Sequence, residues 1–183
     1  MMDSKINIDT NLSPRFLLGI LVVTLFIVLM TNQAQASERK LTFAVSGVVA
    51  SVKIKTGEYV KAGSVLAVLD LVPFSAAKRS ADAASISAKL ILDLSKVRVK
   101  QVRELFDALS TSQEEVEKVK IEHAKAMSGY QAAKSNAEIA TWNFQRATLK
   151  APFSGTVFAI LGYPGMVINT NAGSPPIVII STK

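Results

Sequence analysis

The 183-residue sequence contains no cysteine, one histidine (His123) and few aromatic residues, which make up 7% of the chain. Without cysteine there is no disulfide, no thiol nucleophile and no Cys-type metal site. A single histidine leaves no room for a multi-His metal site or a Ser-His-Asp triad. The Gly-rich phosphate-binding motifs and the nucleophile elbow are absent as well. The sequence therefore predicts a protein that is not an enzyme and that holds no metal or cofactor.

Basic residues are spread along the chain: 21 Lys and Arg are mixed with 14 Asp and Glu, for a formal net charge of +7. The densest basic stretch consists of Lys96, Arg98, Lys100 and Arg103. Three of its cations alternate with valines, a pattern that is typical of the solvated face of a helix rather than of a phosphate-binding surface. We therefore expect no nucleic-acid partner.

The only long apolar run lies near the N-terminus, at Phe16–Met30. Its length corresponds to about 22 Å of helix, which is less than the ~30 Å core of a bilayer. Ala34 and Ala36 lie four and six residues after Met30 and form an A-x-A cleavage site in front of Ser37. We expect residues 1–36 to be a secretory signal peptide, with an uncleaved membrane anchor as the alternative. Both imply that the remaining chain is exported, which in a bacterium means that it lies in the periplasm.

Two glycine-punctuated segments, Gly47–Leu69 and Gly155–Ile180, resemble each other. The aligned pairs are Val49 with Val157, Val52 with Ile160, Val60 with Ile168, Gly63 with Gly173, Val65 with Ile177, and Val68 with Ile179. Their alternation of apolar and polar residues predicts short strands joined by tight turns. The glycines expected at turns are Gly47, Gly57, Gly63, Gly155 and Gly165. Two four-stranded halves packed face to face would form a small β-sandwich with a pseudo-twofold axis.

Residues 73–148 differ in composition and predict two long helices. Apolar and small residues recur at steps of three and four in two stripes. The first stripe is Phe74, Ala77, Ala81, Ala84, Ala88, Ile91, Ser95, Arg98, Val102 and Leu105. The second is Val116, Val119, His123, Ala126, Tyr130, Ala133, Ala137, Ala140, Phe144 and Ala147. Between them, Ser112 and Glu115 form the S-x-x-E pattern of a capping box, which marks the start of the second helix.

The pattern favours an antiparallel coiled-coil hairpin whose arms of about 36 residues each reach roughly 54 Å. Its tip is expected at about residues 106–112. The predicted fold is therefore α+β, with one β half at 37–72, the helical hairpin at 73–148 and the second β half at 149–183. His123 is expected to pack between the helices rather than to bind a ligand. Trp142, near the base of the hairpin, is expected to be a packing residue.

The order of β half, hairpin and β half resembles the periplasmic adaptor subunits, or membrane fusion proteins, of bacterial tripartite efflux pumps. The phrases SGVVASVKIKTGEYVKAGSVLAVLD and LKAPFSGTV carry this resemblance, which extends from about Val45 to Ile180. It implies that the β halves form a biotinyl/lipoyl-like domain. Biotin and lipoate carriers present a lysine on the turn between the halves, whereas Leu69–Pro73 contains none. We therefore expect no attached cofactor.

Adaptors of the resistance–nodulation–division pumps carry an R-x3-L-x6-S pattern at the hairpin tip, which engages the outer-membrane duct. Leu105 and Ser112 match this pattern, whereas the arginine position falls on Gln101. Arg103 lies two residues away and is the expected substitute. The resemblance therefore implies a docking site that consists of Arg103, Leu105, Leu109 and Ser112.

The resemblance also implies a function. The chain is expected to link an inner-membrane transporter to an outer-membrane channel protein in an efflux system, with neighbouring copies side by side as a homo-oligomer. The alternatives are an adaptor of an ATP-driven export or type I secretion system, and a coiled-coil scaffold without a transport role. Adaptors normally continue into a β-barrel and a membrane-proximal domain, so a chain ending at Lys183 is expected to be a truncated or minimal form.

Overall fold

A computed structural model describes residues Ser37–Thr182. The predicted signal or anchor, including Ala34 and Ala36, lies outside these residues, as does Lys183. The strands are β1 (Ser37–Leu41), β2 (Gly47–Val52), β3 (Tyr59–Val60), β4 (Val65–Leu69), β5 (Thr148–Lys150), β6 (Gly155–Ile160), β7 (Val167–Ile168) and β8 (Val178–Thr182). The helices are α1 (Leu71–Asp107) and α2 (Gln113–Arg146), and a 3-10 turn occupies Thr170–Ala172. The fold is therefore α+β.

Eight strands form two four-stranded antiparallel sheets with the orders β1-β8-β6-β3 and β5-β4-β2-β7. Each sheet contains strands from both sequence halves, so the prediction that each half forms one layer of the sandwich is wrong. In the sheet β1-β8-β6-β3 the two central strands come from the second half and the two edge strands come from the first. In the other sheet the halves are reversed. The exchange pairs the two-residue strands β3 and β7 with longer strands, which satisfies the backbone groups on one side of each.

The pseudo-twofold relation is visible in the strand register. Gly47 lies opposite Ile168, and Gly155 lies opposite Val60, the residue aligned with Ile168. A bulge follows Val49 in β2, and another follows its aligned partner Val157 in β6. Both strand exchanges are therefore built with the same geometry, as expected when two similar sequences fold around one shared core.

A single hydrophobic core fills the space between the sheets. Its largest fully buried side chains are Phe43, Leu66, Leu69, Ile168, Ile177 and Ile180. Leu66 and Ile177 are both completely buried, whereas Val65 is 38% exposed. The aligned partner of Ile177 is therefore Leu66 and not Val65 as predicted. The correction follows from the period of two along a strand, because a shift of one residue turns a side chain to the other face.

The glycines of the repeat have two different roles. Gly57 and Gly165 adopt positive φ, +83° and +89°, in the turns that precede β3 and β7. Gly47 and Gly155, in contrast, begin β2 and β6, so the prediction that they are turn residues is wrong. A Cβ atom at Gly155 would lie 2.6 Å from both Ile180 Cγ2 and the Ser181 carbonyl oxygen. Gly155 is therefore required for the close approach of β6 to β8.

Gly155→Ala should lower the free energy of unfolding by about 2 kcal/mol, because the added methyl group meets backbone that cannot move aside. Urea unfolding of the two proteins measures the difference. Gly129→Ala is the matched control, since a Cβ at Gly129 meets nothing within 4 Å. That substitution should raise the free energy of unfolding by up to about 1 kcal/mol through helix propensity. Equal stability of Gly155→Ala and the unchanged protein would contradict the close approach.

The helices α1 and α2 run antiparallel and contact each other. The Lys89 ammonium lies 5.9 Å from the centre of the Tyr130 ring, and the Ser95 hydroxyl lies 2.9 Å from Nδ1 of His123. Higher residue numbers in α1 thus lie beside lower residue numbers in α2, as the antiparallel arrangement requires. Asp70 caps α1 by accepting a hydrogen bond from the Val72 N–H, so the helix begins two residues before Pro73. No helix within Ser37–Thr182 is both long and apolar enough to cross a membrane.

We call the less exposed residues between the helices the seam. On α2 the seam is the predicted stripe from Val116 to Ala147, every member of which is buried or half-buried. On α1 the seam is Phe74, Lys78, Ala81, Ser85, Ala88, Leu92, Ser95, Val99, Val102 and Phe106. Half of the predicted α1 stripe is therefore wrong, and the exposed members are Ala77, Ala84, Ile91, Arg98 and Leu105. At each of these five positions the next residue in the chain lies in the seam instead. Val99, for example, is half-buried, whereas the Arg98 guanidinium remains in solvent.

Ala88→Glu should lower the free energy of unfolding by about 2 kcal/mol, because it places a carboxylate in the seam and desolvates it. Ala84→Glu is the control, since Ala84 lies one turn earlier on the same helix but outside the seam. It should change the stability by less than about 0.5 kcal/mol. Thermal melts followed by circular dichroism compare the two variants, and equal losses would show that the seam is misplaced.

Candidate functional site at the turn between the helices

The turn that joins α1 to α2 closes the end of α1 with two backbone hydrogen bonds. The Ser110 N–H donates to the Leu105 carbonyl oxygen at 2.8 Å, and the Leu109 N–H donates to that of Phe106 at 2.9 Å. Together they form a Schellman motif, in which the first residue after the C-cap adopts a left-handed conformation. Glycine usually occupies that position, and in this chain the residue is Leu109.

Leu109 combines backbone strain with exposure. Its φ is +57°, and it is the only non-glycine residue with positive φ in the described part of the chain. A left-handed conformation costs about 1–2 kcal/mol for a residue that has a Cβ. The side chain is 94% exposed, so burial of the leucine among the described residues does not offset that strain. Strain of this kind is typical of functional sites.

A small second core supports the turn. Val102 of α1 and Val116 and Val119 of α2 are buried together, and Val99 and Phe106 pack against them. The turn is therefore held on a rigid base, although it projects from the rest of the molecule. Sequence reasoning missed Val99 and Phe106 as seam residues. The signal for them was the step of three residues from Val99 to Val102 and of four from Val102 to Phe106.

Ser112 caps α2 by accepting a hydrogen bond from the Glu115 N–H at 3.3 Å. The reciprocal bond of the predicted capping box is not found within Ser37–Thr182. The Glu115 carboxylate instead lies 3.8 Å from Arg98 and 3.6 Å from Lys118. The Ser112 hydroxyl is thus used for the start of α2, and its freedom to contact a partner is reduced.

The structure brings three of the four predicted site residues together at the turn. Leu105, 47% exposed, is joined to the turn through its carbonyl oxygen, and Leu109 and Ser112 lie within it. Arg103 is exposed and forms no ion pair among the described residues. It lies two positions before Leu105, which places it on a different side of the helix. The turn therefore presents two exposed leucines, with the arginine to one side.

Within residues 37–182 no cluster of three or more His, Asp or Glu side chains could hold a metal ion. His123 lies in the seam, half-buried and paired with Ser95. The Ser95 hydroxyl already donates to the Leu92 carbonyl oxygen at 2.7 Å, so it accepts a hydrogen bond from Nδ1 of His123. The histidine is engaged in helix packing.

Leu109→Gly should raise the free energy of unfolding by up to about 1 kcal/mol. The substitution removes the strain of the left-handed conformation and loses little buried surface, although glycine gives the unfolded chain more freedom. Urea unfolding measures the effect. Leu109→Ala is the control, because it shortens the side chain but keeps the strain, and it should leave the stability nearly unchanged. A loss above about 1 kcal/mol in Leu109→Gly is inconsistent with an exposed, strained leucine.

Comparison with known families gives a match over most of the chain. The profile of the CzcB-like, barrel-sandwich hybrid domain matches residues 38–173, which are 136 of the 183 residues. No curated protein sequence matches significantly.

Among solved structures, a candidate efflux transporter from Bacteroides eggerthii DSM 20697 superposes with a TM-score of 0.58 and 26% identity, covering 81% of this chain and 40% of that one. The membrane fusion protein Spr0693 from Streptococcus pneumoniae R6 gives a TM-score of 0.60 and 20% identity, covering 80% and 61%. A MacA-MexA chimera with the Pseudomonas aeruginosa MexA α-hairpin gives 0.55 and 23%, covering 79% and 46%.

The chain thus spans less than two thirds of each of these three structures. Spr0693 and the chimera, both under 25% identical, share the fold with this chain. The family match, in contrast, rests on the sequence, and it includes the first β half from residue 38, both helices and the second β half as far as residue 173. The chain belongs to the family of CzcB-like barrel-sandwich hybrid domains, which confirms its resemblance to the membrane fusion proteins.

Proposed function

We propose that the chain is a periplasmic adaptor of an efflux system, of the resistance–nodulation–division type, which links an inner-membrane transporter to an outer-membrane duct. The helical pair is a coiled-coil hairpin in this proposal, and its tip docks on the duct. The observation that carries the proposal is Leu109, a strained residue that is 94% exposed at the far end of two helices. A strained and exposed leucine is costly for the isolated chain and useful only for a partner.

The dimensions of the helices support this role. α1 has 37 residues and α2 has 34, so they extend for about 50–55 Å. The turn lies at one end and the β-sandwich at the other, which separates the two binding functions of an adaptor. The buried valines beneath the turn hold Leu105 and Leu109 in position before binding, so little ordering entropy is lost on docking.

The chemistry of the turn supports docking by apolar contact. Leucine side chains at the end of a rigid hairpin can insert between helices of a partner, where each buried leucine contributes about 1.5–3 kcal/mol. Arg103 lies to one side and supplies a charge for the rim of such an interface. The motif arginine is replaced by Gln101, and this difference favours an adaptor of an ATP-driven export or type I secretion system as the second candidate.

Residues 1–36 are proposed to direct export, which places the β-sandwich in the periplasm beside the inner membrane. The chain is proposed to carry neither biotin nor lipoate, because Leu69–Pro73, the junction at which the first β half ends and α1 begins, contains no lysine. Neighbouring copies are proposed to associate side by side.

Leu105→Asp and Leu109→Gly should each weaken docking on the purified duct at least tenfold, which corresponds to about 1.4 kcal/mol. Each removes an exposed apolar contact and leaves the seam unchanged. Photocrosslinking from a reactive residue at Ser110, which is exposed in the turn, measures docking, and circular dichroism confirms folding.

Met127→Asp is the matched control for these variants. Met127 is 54% exposed on α2, away from the turn, so its substitution should leave crosslinking unchanged. Crosslinking that persists in both leucine variants would exclude the turn as the docking site. Loss of crosslinking together with loss of helix content would instead assign the leucines a role in folding.

A further inference from the structure

Each helix carries a row of exposed side chains that the hairpin itself does not use. We define the α1 outer row as Ala76, Ala83, Leu90 and Val97, and the α2 outer row as Ile121, Ser128, Ser135 and Trp142. The residues of each row recur every seven positions and are all exposed. The largest of them are 64% (Leu90), 50% (Val97), 56% (Ile121) and 45% (Trp142) exposed. Trp142 was predicted to be a packing residue, and its exposure corrects that prediction.

The two outer rows lie on opposite edges of the helical pair. On α1 the seam contains Ala88 and Leu92, and Leu90 lies half a turn from both. On α2 the seam contains Ala126 and Tyr130, and Ser128 lies half a turn from both in the same way. Each row therefore faces directly away from the other helix. No two residues from different rows can touch within one chain.

The cross-helix contacts define which residues lie at the same height along the hairpin. Lys89 lies beside Tyr130, and Ser95 lies beside His123, so the numbers of facing residues sum to about 218. By this rule the rows match residue for residue: Ala76 with Trp142, Ala83 with Ser135, Leu90 with Ser128, and Val97 with Ile121.

Two of the four matched pairs are complementary in size. The indole of Trp142 lies at the height of Ala76, and Leu90 lies at the height of Ser128. Ser135 and Ala83 are both small, which allows the two helices to approach closely. When the α1 edge of one hairpin is placed against the α2 edge of a second hairpin in the same orientation, a large side chain therefore meets a small one at two heights, and the pair nearest the turn is apolar on both sides.

Charges beside the rows are complementary at the same heights. Arg79 on α1 corresponds to Glu138 on α2, and Lys100 corresponds to Glu117, with both pairs on one face of the hairpin. Arg79 forms no ion pair among residues 37–182. The contacts of Glu138 with Lys134 (3.9 Å) and of Lys100 with Glu104 (3.8 Å) are long and exposed, so they compete weakly. Glu117 already pairs with Lys120 at 2.9 Å, so Arg79 and Glu138 are the stronger complementary pair.

We infer that a second copy of this chain docks with its α2 outer row on the α1 outer row of the first, in parallel and without a shift in height. This inference rests on the proposed adaptor function, because it identifies the surface by which neighbouring copies associate. The contact is heterologous, since different surfaces meet, so it repeats from copy to copy and closes into a ring if the rotation allows. All hairpin tips then point in the same direction.

Cysteine crosslinking tests the register directly, because the chain has no cysteine of its own. Ala83→Cys and Ser135→Cys proteins, full-length and co-expressed in the periplasm, should form a mixed disulfide dimer under oxidising conditions. A chain that carries both substitutions should form a ladder of dimers, trimers and larger species on a non-reducing gel. A disulfide within one chain is excluded, because the residues lie on opposite edges.

Ser128→Cys combined with Ala83→Cys is the register control. Ser128 lies in the same row as Ser135 but seven residues away, which is about 10.5 Å along the helix. The control pair should form at most a tenth of the mixed dimer. A dimer of Ala83→Cys with itself, equal yields from the two pairs, or no disulfide at all would each overturn the inference.

Charge reversal provides a second measurement. Arg79→Glu and Glu138→Arg should each reduce the mixed dimer several-fold, and the chain with both substitutions should recover it. Failure of the inference is distinguishable from failure of the docking proposal, because the disulfide forms without the duct. Leu105→Asp should leave the disulfide yield unchanged. A chain with Arg79→Glu should still crosslink from Ser110 to the duct.

Discussion

The pairing of β4 with β5 determines the arrangement of everything between them. Val68 lies opposite Thr148, and the Leu69 N–H donates to the Ala147 carbonyl oxygen at 2.9 Å. The first residue of α1 and the last of α2 are therefore held side by side. Two helices that begin and end at one place must run antiparallel and have similar lengths. The sheet thus positions the distant turn, although it makes no contact with it.

Much of this architecture could be predicted from the sequence because it depends on local periodicity. The repeat around Gly47 and Gly155 revealed the pseudo-twofold relation, and the α2 stripe from Val116 to Ala147 agrees with the seam. The α1 stripe was half wrong because steps of three then four and of four then three both fit between its correct positions, and Ile91 and Leu92, for example, are both apolar. Only the packed partner decides which of two neighbouring apolar residues is buried.

The exchange of strands between sheets and the details of the candidate site could not be predicted. The sequence shows which segments are strands, but the pairing of β3 with β6 is a long-range contact that no local pattern encodes. Leu109 was a candidate because of its position near the tip. Its left-handed conformation arises from the closing of α1, and leucine gives no local signal for it. Glycine at that position would have revealed the turn and removed the strain.

The seven-residue period of the seam makes the hairpin a spacer whose length changes only in fixed steps. A deletion of seven residues from α1 keeps the seam aligned only if seven residues at the same height are removed from α2. Each such step would shorten the hairpin by about 10.5 Å and leave both the β-sandwich and the turn intact. Any other change would rotate the turn relative to the sheet or break the seam. The length of the hairpin can therefore change only in steps of about 10.5 Å, and it can evolve independently of the surfaces at its two ends.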